Sequence, residues 1–332
     1  MSNSKNHHYV PQFYLRLFST DKKSISLLNK KRNAIIKGAP IKGQCALENF
    51  HGWHEDVENH IARIEGESAP VIQRIAGTGL LPPQGSDDHL RLALFVALQM
   101  GRTQSIAKEN DAMTDRFVKK MMEGDPNLRD VDLNRFKVGD KYPIALPIVT
   151  FLQAYDRLLD LKCLVLVASQ KAKFVTSDNP VIRYNSLRRH VWWEGVTGIE
   201  CEALQLFIPL SPKLMLYMYD RNFYKSPNFD GPVRITVEDS SKINALTVLN
   251  SEQNIYGFSE HLMPILKLRE CTRGFEEYRR IAFAETEEYV DDDGRRGSLM
   301  INYRPHPPAD FEFRFSKAKR VPAPLEPDPK LS

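Results

Sequence analysis

Side chains able to do acid–base or anion-binding chemistry fall in four short clusters spread along the chain. The first is the opening run His7-His8-Tyr9-Val10-Pro11-Gln12-Phe13-Tyr14-Leu15-Arg16-Leu17-Phe18. Chain ends are usually polar and frayed, whereas this run carries two histidines and four aromatics and must dock on the rest of the fold. Pro11 fixes its own φ and pushes Val10 toward an extended conformation, and neighbours in an extended segment face opposite sides, so one histidine turns inward. His8 is the expected inward residue, with Gln12 as a neighbouring amide. A histidine that titrates near neutral pH serves as a general acid/base or a metal ligand; the competing reading is a ring that only anchors the terminus.

The second cluster is Gln99-Met100-Gly101-Arg102-Thr103. Gln99 and Arg102 are three apart and share a helix face, and the guanidinium fork suits a carboxylate or a phosphate. An ion pair with a nearby acid is the competing reading. The third is Thr176-Ser177-Asp178-Asn179-Pro180, directly after an apolar run. A carboxylate and an amide at a strand end are placed as loop groups in binding sites often are, so Asp178 can accept a proton, ligate a metal or orient a histidine. An Asx-turn before proline explains the same text.

The fourth cluster is His51, His54, Glu55, Glu58, His60 and Glu65. Glu58 and Glu65 are seven apart and so on one helix face; Glu58 is a candidate metal ligand with His8 and Asp178. No histidine stands at position 58, so the HExxH zinc motif is not formed. A solvated helix face is the ordinary reading of such charges. Trp192 and Trp193 beside Arg188-Arg189-His190 are further candidates, as base-stacking aromatics in a basic setting.

The elements that position these residues divide the chain into a helical first half and a strand-rich second half. Ser24–Asn29 reads as a strand closed by the polar turn 30–33. A helical face runs through His54–Ile75, with Gly66 and Pro70 predicting a break or kink. Gly77 to Gly85 is a loop, and Ser86-Asp87-Asp88 offers N-caps for one long helix through about Met122. Gly124–Tyr142 is a polar connection, and Pro147–Leu161 is another helix. Cys163–Ala168 is a continuous apolar run suited to a buried strand, with Phe174–Thr176 as its expected partner. Leu204–Ile208 and Leu214–Tyr219 are strands around the turn Pro209-Leu210-Ser211-Pro212; Ser240–Leu249 is a helix, Asn254–Phe258 a strand, Leu262–Cys271 a helix and Arg279–Ala284 a strand. Regular βαβ alternation is absent, so the fold class is α+β: a mainly helical half, to about 161, packed on a mixed or antiparallel sheet. Residues 1–260 form the main domain, 261–316 an extension packed on it, and 317–332 a disordered basic and proline-rich tail.

These motifs resemble, in order, the signature of a bacterial family of domains of unknown function, number 4238. The resemblance covers HHYVPQFYLRxF at the start, the E-x6-E pair Glu58/Glu65, the Q-x-x-R-T element, SDNP, PLSP and then Asn244, roughly His7 to Phe258. Leu17 stands where many members carry Asn. The resemblance implies that the motif residues belong together; it names no reaction.

Composition bounds the rest. Apolar content of 42% and charged content of 27% are ordinary for a folded globular chain, and a net charge of +4 is too mild by itself to argue for nucleic acid. No apolar stretch approaches the roughly 18–20 residues of a membrane span, and nothing reads as a signal peptide. The four scattered cysteines lack zinc spacing and read as free thiols of a cytoplasmic protein. Walker A, GxGxxG and GxSxG texts are absent. If the clusters converge, they describe a hydrolase acting on a phosphodiester in a nucleic acid or nucleotide. His8 would be its acid/base, Arg102 its phosphate contact and Asp178 its orienting carboxylate, with Gln12, Gln99 and Asn179 binding substrate. A divalent metal is compatible with that set, its candidate ligands being Glu58, Asp178 and His8. The competing hypothesis is a non-catalytic binding module, in a bacterial stress or phage-defence setting, whose signature locks the fold.

Overall fold

Along Leu206, Phe207 and Ile208, and again along Leu216, Tyr217 and Met218, every side chain is buried, because successive residues of these strands face two different cores. That explains the continuous apolar text, which a one-faced sheet does not need. The protein is described by a computed structural model covering residues 6–51, 55–123, 125–191, 195–225, 231–278, 283–290, 294–303 and 309–322.

The chain opens with β1 (Asn6–His8) and the short α1 (Gln12–Leu15), followed by β2 (Ser24–Asn29), β3 (Ala34–Pro40) and β4 (Ala46–Glu48). Four helices follow: α2 (Glu55–Thr78), α3 (Asp87–Gly101), α4 (Gln104–Glu123) and α5 (Ala145–Gln153). The strand-rich half holds β5 (Lys162–Val167), β6 (Thr176–Ser177), β7 (Ile182–Tyr184), β8 (Gln205–Pro209), β9 (Leu214–Tyr219), β10 (Tyr224–Lys225) and β11 (Val233–Arg234). It closes with α6 (Val237–Asn250), β12 (Asn254–Gly257), α7 (Ser259–Tyr278), β13 (Phe283–Val290), β14 (Arg296–Tyr303) and β15 (Lys317–Ala318). The fold is α+β. One sheet has the order β11-β5-β9-β8-β7, with only β11–β5 parallel; a second has the order β3-β2-β12-β6.

Helices α2 and α3 and the opening arm cover one face of the five-stranded sheet, and the arm places Val10, Tyr14, Leu15 and Phe18 in that core at 0% exposure. The other face is covered by α6 and by Phe313 and Phe315. Residues 309–316 therefore pack on the main body, and the expected boundary at 260 falls inside α7 rather than between elements.

Four expectations of the sequence are corrected. Of the break or kink expected at Gly66 and Pro70, the break does not occur, since α2 is continuous through Pro70: an interior proline costs about 3 kcal/mol, while burying Ile61, Val71, Ile72 and Ile75 stabilises by about 1.5–3 kcal/mol each. The long helix expected from Ser86 is two helices, interrupted at Arg102 and Thr103. Its Ser86 cap is as expected, with Ser86 Oγ accepting from the His89 N–H. Gly101 ends α3 where α5 crosses, since a Cβ there would stand 2.8 Å from the Pro147 carbonyl oxygen. The 174–176 segment does not pair with β5. It crosses to the other sheet, where β6 pairs with β12, and the Phe174 N–H bonds the Pro212 carbonyl on the way; an apolar run states burial but not the neighbour. The tail is ordered at its start, since Lys317 and Ala318 pair with β10. His54, Trp192, Trp193 and residues 279–282 lie outside the described residues.

Candidate functional site: a histidine pair on a helix carboxylate, beside a basic cleft

Strand β1 pairs with β4 in the register His7↔Leu47 and His8↔Ala46. This register turns His7 inward, not His8 as the sequence reading expected. His7 is buried, while His8 is half-buried with Nε2 3.1 Å from the Lys42 carbonyl oxygen. The alternation rule was right and its phase was not, because both residues are histidines and only the β4 register decides between them.

His7 meets His51, which stands just before α2, and the rings stack at 5.1 Å between centroids and 17° between planes. The His51 N–H donates to His7 Nδ1 at 3.1 Å, so that nitrogen carries a lone pair. His51 Nδ1 lies 2.8 Å from Glu58 Oε2, and His7 Nδ1 lies 3.9 Å from the same oxygen. Burial pulls the His51 pKa below the ordinary histidine value, against the pull of Glu58. The hydrogen bond from His51 in turn holds the Glu58 carboxyl below the usual carboxylate range. The 2.8 Å contact is a hydrogen bond between the His51 ring and the Glu58 carboxylate, its direction set by the ring's tautomer. His51 Nε2 is buried and has no hydrogen-bond partner among the described residues.

One turn pair further along α2, Glu65 bonds Arg102 Nη1. Arg102 is wholly buried and also gives Nε and Nη2 to Gln99 Oε1 at 3.1 and 3.0 Å, while Gln99 Nε2 donates to the Tyr9 carbonyl at 2.9 Å. Glu58 and Glu65 thus share a helix face as their spacing required. Arg102 is spent on Glu65 and Gln99 and is closed to solvent, so it does not present its fork to a phosphate.

Asp178 does not join His7, His51 or Glu58. Its two oxygens accept the backbone N–H groups of Glu252, Gln253 and Asn254 at 2.6–2.8 Å, closing the turn between α6 and β12. Burial raises its pKa, opposed by those three donors and by Lys30. Asn179 bonds the Asn250 carbonyl through Nδ2 and accepts from Thr103 Oγ1 at 3.2 Å. Gln12 accepts from Arg16 at 3.0 Å. His8 and Gln12 thus do not converge with Asp178 and Asn179 as the hydrolase reading required, and the arm reaches that strand end through another residue: Tyr14 Oη lies 3.0 Å from Thr176 Oγ1 and donates to the Pro209 carbonyl. Asn244 also serves the fold, bonding the Val175 N–H and the Lys173 carbonyl. The metal set Glu58, Asp178 and His8 is not assembled; Glu58 has His7 and His51 instead.

Burial pushes the Cys45 thiol up and the Cys163 thiol up to about 12, which disfavours the thiolate at both. Cys45, Cys163 and Cys201 are free.

A separate cleft of ≈ 1490 Å³ opens between the β2–β3 turn, α4, α5 and the α6–β12 turn. Its lining carries Lys30, Lys31, Arg32, Lys108, Arg116, Arg183 and Arg269 against two acids, Glu109 and Glu252. The Asp178 cap thus shapes its wall, by holding 252–254. Lys30 is buried and donates to the Val248 and Ser251 carbonyls. Lys31 and Arg32 are exposed, with no acidic partner among the described residues. Phe151 and Leu146 add apolar surface, and the Arg183 guanidinium lies 5.8 Å from the Phe151 ring centroid. Sequence reading missed this cleft because its cations come from four separate parts of the chain, and the short basic run Lys30-Lys31-Arg32 reads locally only as a polar turn.

No described helix is long and apolar enough to cross a membrane. No curated protein and no solved structure matches the chain. A family model described as "Protein of unknown function (DUF4238)" matches residues 6–261, the stretch that holds the arm, the paired glutamates, Arg102 and the Asp178 turn, and the chain belongs to that family.

Proposed function

We propose that this protein binds a phosphate-rich ligand, a nucleotide or a single strand of nucleic acid, in the cleft between α4, α5 and the β2–β3 turn. The observation that carries the reading is the lining itself. Seven cations and two carboxylates line the cleft; Lys108 is paired with Glu252 and Lys30 with two backbone carbonyls, while Lys31 and Arg32 are exposed, so the lining keeps a positive excess in a chain whose whole net charge is +4. Clefts lined by one sign of charge raise the local concentration of the opposite sign. Phe151 and Leu146 offer a face for a base, as stacking platforms in single-strand binders do. The volume exceeds the roughly 300–1,000 Å³ of common small-molecule pockets, which favours an extended ligand.

Fluorescence anisotropy with a labelled oligonucleotide and with a labelled nucleotide tests this. Binding should weaken steeply as salt rises, because released counterions drive it. The double variant Lys31→Glu/Arg32→Glu should lower affinity by about tenfold or more while the protein still folds. An absence of binding at low salt, or binding indifferent to that charge reversal, would refute the proposal.

Phosphodiester hydrolysis is a second reading, and one observation favours it: a histidine held by a carboxylate on one nitrogen, with the other unpartnered among the described residues, is a pairing that general bases use. It relocates the chemistry from His8, Arg102 and Asp178 to His51 and Glu58. A nuclease and nucleotide-hydrolysis screen on wild type and Glu58→Gln, with and without divalent metal, decides it; turnover that is absent, or unchanged in Glu58→Gln, excludes it.

A further inference from the structure

We propose that His7, His51 and Glu58 form a binding site for one divalent transition-metal ion of the zinc class. One donor atom from each residue lies within 4.8 Å of the other two. Two imidazoles and one carboxylate are a common donor set for zinc, leaving a fourth position for water or another ligand. Ligand atoms about 2.0–2.1 Å from a tetrahedral ion stand roughly 3.4 Å apart, and the separations of 2.8 Å and 3.9 Å to Glu58 Oε2 bracket that value.

An ion here would replace two hydrogen bonds of the cluster. At His7 Nδ1 it would displace the His51 backbone N–H that this nitrogen now accepts. At His51 Nδ1 it would take the place of the hydrogen bond shared with Glu58. His51 Nε2 has no hydrogen-bond partner among the described residues, so placing the ring proton there breaks no further bond. Charge is tolerable as well. The neighbouring cation Arg102 is already paired with Glu65, so it does not stand as an unpaired positive charge beside the ion. Access exists from one side: the Glu58 side chain is 32% exposed while that of His51 is 1% exposed.

The site is independent of the cleft proposal, since none of its three residues lines the cleft. The test uses the full chain, stripped with a chelator and titrated with Co²⁺ and then Zn²⁺, by calorimetry and by the visible spectrum of bound Co²⁺. One ion per chain is expected, with the absorption of a four- or five-coordinate complex. Glu58→Gln and His51→Gln should each lower the affinity at least about 100-fold, more than the loss typical of supporting residues around a metal. His8→Gln, one residue away from the proposed ligand His7, should bind within about twofold of wild type. Circular dichroism of the metal-free variants checks the fold; should His51→Gln fail to fold, the half-exposed Glu58→Gln carries the comparison. Wild type that binds neither ion, Glu58→Gln that binds as wild type does, or an equal loss in His8→Gln would each overturn the site.

Discussion

Asp178 and His51 are both buried polar residues of the family-matched stretch, yet their surroundings leave them in opposite conditions. Asp178 has three backbone N–H donors on its two oxygens. His51 has Glu58 on one nitrogen and, among the described residues, nothing on the other. A saturated carboxylate at a strand-end turn is part of the frame; an imidazole with an open nitrogen has capacity left over. Polar residues gathered from distant segments therefore do not mark a site merely by meeting. Most of them here meet to close a turn, stop a helix or tie two sheets together.

The contrast breaks first at Asp178. Asp178→Ala should strip acceptors from three buried donors and destabilise by about 3–5 kcal/mol in urea unfolding. A variant with full stability but lost ligand binding would move Asp178 out of the frame. Arg102→Met comes next. It leaves the part-buried Glu65 carboxylate without its partner, and a loss of about 2–3 kcal/mol is expected, part of which Arg102→Met/Glu65→Gln should restore. Tyr14→Phe removes one hydroxyl from Thr176 and the Pro209 carbonyl and should cost about 1–2 kcal/mol in the same assay. Glu58→Gln should change stability least, within about 1 kcal/mol, since the carboxylate is part-exposed and its bond can be kept by the amide oxygen; its effect should fall on metal binding instead. If Glu58→Gln proves as destabilising as Asp178→Ala, the two regions are one kind of network.

Local signals in the sequence reached local structure well. Ser24–Asn29 and Leu214–Tyr219 are strands with the bounds their patterns suggested, because polar turns punctuate them. Pro209-Leu210-Ser211-Pro212 joins β8 to β9, with Ser211 Oγ accepting the Leu214 N–H at 3.1 Å. Ser86 caps α3 as its position promised. What was illegible is relational. Nothing local distinguishes His7 from His8, since their phase depends on the register with β4, some forty residues later. The Glu58/Glu65 spacing was readable, but not that one carboxylate would hold a histidine and the other an arginine. His51 was visible as part of a cluster, and its separation of 44 residues from His7 gave no spacing to work from. The break at Arg102 was hidden for a similar reason: the helix pattern continues through it, and the crossing of α5 over Gly101 interrupts it.

Tyr14 has a consequence for the order in which the molecule is made. Its hydroxyl partners lie 162 and 195 residues downstream, so this segment cannot complete its contacts until the strand that carries Pro209 has been synthesised. Until then an arm rich in aromatics has no finished docking surface. Contacts of such long sequence separation fold late and leave apolar surface exposed meanwhile. The N-terminal arm is thus a latch set by the second half of the chain, and truncations that remove β8 should release it.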